Sequence, residues 1–130
     1  DLPFCKNFYI NSIIDDMKKY SNLKHIQFNR HENRAIDWWK DKYNFFNNHN
    51  IITENNNYVS TLAWADQNHL TTKIYYTDLV LKLCKDGIFM EKELHKKNNT
   101  PETHKIFGTY FYGKYLESQY IIHTNARLKS

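Results

Sequence analysis

A mainly helical domain is the fold class predicted by this sequence, with about four to six helices and at most a short hairpin or extended segment. Three observations predict it. Apolar residues recur at three- and four-residue steps in at least four segments. Thr100-Pro101-Glu102 has the order of a helix N-terminus, with a hydroxyl cap, a proline at the first position and an acid in the first turn. Gly87 follows a periodic segment where a helix C-terminus favours a residue able to take positive φ.

In chain order, the first helix is predicted over 6–20. Phe8, Ile10, Ile13, Ile14 and Met17 form its inner face, and Asp15, Asp16, Lys18 and Lys19 take the wet one. Residues 23–28 are expected to be extended. A second helix over 32–46 carries the stripe Ile36, Trp39, Tyr43 and Phe46, with Trp38 and Phe45 beside it, and Trp39 is expected at the centre of the core. The Asn clusters of 47–57 predict a loop that tucks Ile51 and Ile52 inward. Val59, Leu62, Ala63 and Asp66 fit a third helix. Ile74, Tyr75, Leu79, Leu83 and Cys84 fit a fourth over 72–86, and residues 88–97 are compatible with helix or strand.

Beyond Pro101, Phe107, Phe111 and Tyr115 stand at four-residue steps, as do Tyr112, Leu116 and Tyr120. This spacing predicts helix to about His123 in spite of Gly108 and Gly113, each of which costs ~1 kcal/mol relative to Ala. The organisation expected is one helical domain over 1–123 and a polar tail over 124–130, with no internal repeat and no linker. Asp1-Leu2-Pro3 lacks an initiator Met, as in a processed or trimmed chain or a part of a longer one.

A chain of 130 residues can bury roughly two-thirds of its unfolded surface without disulfides or metal. Its 16% aromatic content predicts a bulky core. Cys5 and Cys84 are expected to be free and mostly buried thiols. No run approaches the ~18 to 20 apolar residues of a spanning helix, so no membrane span is expected. Sixteen Asn and fifteen Lys stand against three Arg, the bias of an AT-rich genome.

No catalytic, cofactor or metal motif is legible. His31-Glu32 begins a zinc-helix pattern, but Ala35 stands where the second histidine is needed. The three glycines make no phosphate loop, and Asp15 with Asp16 and Asp37 with Asp41 read as solvated helix charge. Asn98-Asn99-Thr100 matches a glycosylation acceptor. The charge distribution carries more: seven basic residues between Lys92 and Ser130 face three acidic ones, whereas the first 91 residues balance. Lysines among rings can neutralise phosphates and stack on bases. The candidate contact set for a partner or nucleic acid is therefore Lys96, Lys97, Lys105, Lys114, Tyr110, Tyr112, Arg127 and Lys129.

These features lead to the expectation of a non-catalytic accessory or structural subunit of a larger assembly. It would act through protein subunits and through rRNA contacts, with no cofactor and no small-molecule substrate. An organellar assembly, a mitochondrial ribosome or respiratory complex, is the first expectation for its place. The alternatives are a secreted or exported parasite interaction module and an enzyme whose active site is invisible in sequence. A Cys5–Cys84 bridge or a glycosylated Asn98 would favour the secreted module, and a deep polar pocket joining several histidines and carboxylates would favour the enzyme.

Overall fold

The computed structural model describes residues 2–34, 37, 39, 41–43 and 50–122. It corrects the mainly helical expectation: the fold is α+β, built on a five-stranded mixed sheet. The strands are β1 (His25–Gln27), β2 (Ile51–Ile52), β3 (Asn57–Ser60), β4 (His69–Thr71) and β5 (Thr109–Tyr112), in the order β2-β3-β5-β1-β4. β5 lies parallel to β1 and antiparallel to β3, and the β2–β3 and β1–β4 pairs are antiparallel.

Helix α1 (Ile10–Lys19) starts four residues later than its apolar period suggested. Its inner face is narrower too, since Ile13 is buried while Ile10 and Ile14 are exposed. Residues 73–83 form one helix, α2, made of Lys73–Tyr75, a π-helical turn Tyr76–Val80 and Leu81–Leu83. Thr72 caps it by accepting from Tyr75 N–H at 3.1 Å. The undecided segment 88–97 is helical, as α3 (Met90–Lys97). Helix α4 (Pro101–Phe107) begins at the Thr100 cap, where Thr103 N–H donates to the Thr100 hydroxyl and Thr100 N–H donates back to Thr103.

Helix α4 stops at Gly108, with φ +54°, and β5 begins at the next residue. A Cβ at Gly108 would run into the Asn22 carbonyl and the Lys24 side chain, so only glycine lets the chain pass this close. The long helix expected to His123 therefore ends at Phe107. The helix expected around Val59 to Asp66 is likewise corrected to strand β3 and an irregular crossing segment, and Ile51 and Ile52 belong to a strand, with Ile52 74% exposed rather than tucked in. Of the predicted second helix, Asp37 and Trp39 are helical while Asp41 and Lys42 lie in a turn. Ile36, Trp38, Phe45 and Phe46 are outside the described residues.

Successive strand residues point to opposite faces, so the sheet is packed on both sides. On one face Ile26, Tyr58, Tyr110 and Tyr112 pack with Ile13, Leu23 and Ile121. On the other, Val59 and Phe111 pack with Leu62, Trp39 and Tyr43, and a further cluster joins Trp64, Tyr75, Val80, Leu94 and Phe107. Trp39 is thus half-buried at the margin of a small cluster, not at the centre of the core. Both cysteines are free, with Cys5 exposed and Cys84 partly buried. No helix among the described residues is long and apolar enough to cross a membrane.

Candidate functional site

The described lysines of the expected contact set fall on three separate segments. Lys96 is exposed on α3, Lys105 on α4 and Lys114 in the turn after β5. Lys97 is half-buried: its Nζ donates to the Leu83 carbonyl at 2.8 Å and lies 3.9 Å from Glu93. Tyr110 and Tyr112 are only 2% and 8% exposed, so their rings belong to the core in this fold. Tyr112 donates its hydroxyl to Asn56 at 3.0 Å. Arg127 and Lys129 lie outside the described residues. Asn98 is fully buried, its amide donating to the Ala63 carbonyl at 2.8 Å, so the folded chain offers no glycan acceptor there.

Two concavities were not read from sequence. The first is a groove of about 410 Å³ between the end of α1, α2 and the end of α4. Met17, Leu23 and Leu79 line it with aliphatic surface, and Ile74 and Ile106 stand on its margins, 69% and 52% exposed. Leu81, 60% exposed, lies about two turns along α2 from Ile74, on the same helix. Lys24 borders the groove and donates from Nζ to the carbonyls of Lys105 and Ile106, both at 3.2 Å.

The second is a cleft of about 620 Å³ on the opposite face of the sheet from α1. The irregular segment 61–67, the start of α3 and the chain leaving β1 meet there. They contribute Asp66, Glu91 with His95, and Arg30 with His31, respectively, while Trp39 and Phe111 add ring surface. Glu91 and His95 are four apart on one helix and so share a face. The Glu91 carboxyl is pushed up from its usual range by burial first and then by the nearby Asp66, against the opposing pull of His95 and Arg30. Trp39 lines this cleft with a buried indole N–H that has no acceptor. No group of three or more His, Cys, Asp or Glu among the described residues is placed to hold a metal ion.

Beneath the cleft lies a layer of buried rings. His25, fully buried, stacks on Trp64 at 5.1 Å and on Tyr75 at 5.8 Å, and meets His69 edge-on at 4.7 Å. Its Nδ1 is 3.4 Å from the Thr109 hydroxyl, and its Nε2 has no partner. Burial, with His69 second, holds the imidazole well below its usual pKa. At His69 the tautomer follows from the partners. Nδ1, 2.7 Å from the Gln67 carbonyl, must donate, so in the neutral ring Nε2 accepts from the Tyr76 hydroxyl at 2.7 Å. Tyr76 opens the π-turn of α2, which sets this hydroxyl against the sheet edge.

Comparison with protein families, curated proteins and solved structures yields no match to this chain.

Proposed function

We propose that the chain is a non-catalytic accessory subunit of a larger assembly, and that it docks a protein partner on the groove between α2 and α4. One observation carries the proposal: Ile74 and Ile106, both more than half exposed, flank a concave aliphatic surface. Covering apolar area stabilises association by about 25 cal/mol per Å² removed from water. The groove's charged residues, Lys24 and Asp78, balance, so the partner's contribution is an apolar side chain rather than a charge of one sign. Lys96 and Lys114, exposed on other elements, are the lysines free to reach phosphates of rRNA.

The experiment is co-purification of the tagged chain from its own cells, with Ile74→Asp and Ile106→Asp compared with the parent. Both variants should lose the partner while stability stays within about 0.5 kcal/mol, as for surface substitutions generally. Retention of the partner by both variants overturns the groove assignment. If instead Lys96, Lys105 and Lys114 to Gln weakens binding to rRNA fragments and flattens its salt dependence, while Lys18, Lys19 and Lys42 to Gln does not, the contact is with phosphate. The identity of the co-purified protein assigns the compartment, for which a mitochondrial ribosome or respiratory complex is the first expectation.

A further inference from the structure

We propose that His25 makes α2 an acid-released element: when the imidazole takes a second proton, the Tyr75–Tyr76 part of the helix leaves the sheet. The switch stands apart from partner docking but bears on it, because α2 supplies Ile74, Tyr75 and Leu79 to the groove.

The surroundings of the ring have no place for that proton. An imidazolium presents two N–H donors, and at His25 the Thr109 hydroxyl is 3.4 Å from Nδ1 while Nε2 has no partner. The ring is fully buried. It is faced by His69 from β4, Tyr75 from α2, Trp64 from the segment 61–67, Thr109 from β5 and Gln27 of its own strand. Behind Thr109, from α4, is His104, with Nε2 3.0 Å from the Thr109 carbonyl. Among the described ionisable groups His69 acts on His25, and it acts against the proton. The Asp66 carboxyl bears on Tyr76 instead.

The elements around the ring are fastened unequally. β4 and β5 are laddered to β1 through the backbone. The segment that brings Trp64 is clamped at the buried Asn98, whose carbonyl accepts from Ala63 N–H at 2.7 Å and whose amide donates to the Ala63 carbonyl at 2.8 Å. Helix α2 is seated through the histidines themselves: Tyr75 stacks on His25, and the Tyr76 hydroxyl donates to His69 Nε2 at 2.7 Å. This seat coincides with the π-turn, where regular helical bonding is interrupted. On either side the chain is pinned away from the histidines, by the Thr71 hydroxyl on the Lys24 carbonyl and by Lys97 on the Leu83 carbonyl, both at 2.8 Å. The element that yields is therefore α2, and the opening is local.

In the closed form burial holds His25 well below its usual pKa, and in the released form the ring returns to the ordinary 6.5. The ratio of released to closed form is therefore constant above pH 6.5 and rises by up to about tenfold per unit below it. Hydrogen exchange of the full chain from pH 8 to pH 5, corrected for the intrinsic exchange rate, reads this ratio. Peptides within 73–80 should lose protection by up to about tenfold per unit below pH 6.5, through an opening that low urea concentrations barely change, whereas β5 should exchange through urea-sensitive global unfolding. His25→Leu and His25→Gln should each remove the pH dependence from α2, and either variant that folds decides the matter. His31→Gln, on the exposed chain after β1, should keep it. Ile74→Asp and Ile106→Asp should also keep it, so failure of the switch and failure of the groove are read separately. Equal protection and urea dependence of α2 and β5 at every pH, α2 protection that does not change below pH 6.5, or a pH dependence that survives replacement of His25 overturns the proposal.

Discussion

Asp16 is a buried ionisable group on the α1 face of the sheet, and His25 is one on the opposite face. They have met burial differently. Asp16 Oδ2 accepts from the Tyr58 hydroxyl at 2.7 Å, from the Asn56 amide at 2.9 Å and from the Thr53 hydroxyl at 3.0 Å. Asn56 also donates to the Ser12 hydroxyl at 3.0 Å, so the β2–β3 turn is tied to α1 at two points. His25 has ring neighbours on several sides, contacts to Nδ1 at 3.4 and 3.5 Å, and an unpartnered Nε2. A satisfied buried polar group holds a fold together, whereas an unsatisfied one is a cost that packing elsewhere offsets.

The comparison breaks first at Asp16. Asp16→Ala should cost about 3 kcal/mol or more, because two buried donors and the half-buried Thr53 hydroxyl lose a charged acceptor together. Urea denaturation measures this, and a loss under about 1 kcal/mol would mean that α1 is held by apolar contact alone. Tyr58→Phe removes one donor and leaves two, so about 1.5 to 2 kcal/mol is expected in the same assay. The Tyr58 hydroxyl itself is pushed far above its usual range by burial and by its bond to Asp16, so it stays protonated and donates throughout the accessible alkaline range.

The opposite face is sharpened by acid. The unfolded chain protonates His25 near the ordinary 6.5, while the folded chain resists it. Unfolding therefore takes up a proton below pH 6.5, and stability present in full above that pH falls by up to ~1.4 kcal/mol per unit as pH drops toward the folded value. The stability difference between the parent and His25→Leu, followed from pH 8 to pH 5, isolates this slope, which the variant should lack. At pH 8 the same substitution should cost under about 1 kcal/mol, since no strong hydrogen bond is broken. A large loss at pH 8 would show that the ring stack with Trp64 and Tyr75 holds this face together, and parallel pH curves would show that His25 accepts its proton in the folded state.

Some of this architecture was legible one segment at a time. The α1 period, the extended stretch before Phe28, the α2 period and the Thr100-Pro101 start of α4 are local signals, and the structure contains each. The strands β3 and β5 were not legible. β5 sits between β1 and β3 with both faces covered, so Thr109 to Tyr112 are all buried and the alternation that marks a half-exposed strand is missing. Its rings, continued by Tyr115 and Tyr120, then imitated a helical four-residue step. Asp16 looked like solvated charge for a similar reason: its three donors lie about forty residues away in sequence and announce nothing beside it.

The sequence by itself determined where helices could start, which segments could be apolar on one side, and that no apolar run of membrane-spanning length is present. Only the tertiary structure decided that Tyr110 and Tyr112 are core, and that Asp66 and Glu91 line one cleft from two elements. Only it left Ile74 and Ile106 uncovered on the two sides of one groove. The reason is physical. Propensity and capping act within a few residues of chain, whereas the field at a carboxyl and the exposure of a side chain depend on which distant segments pack beside it.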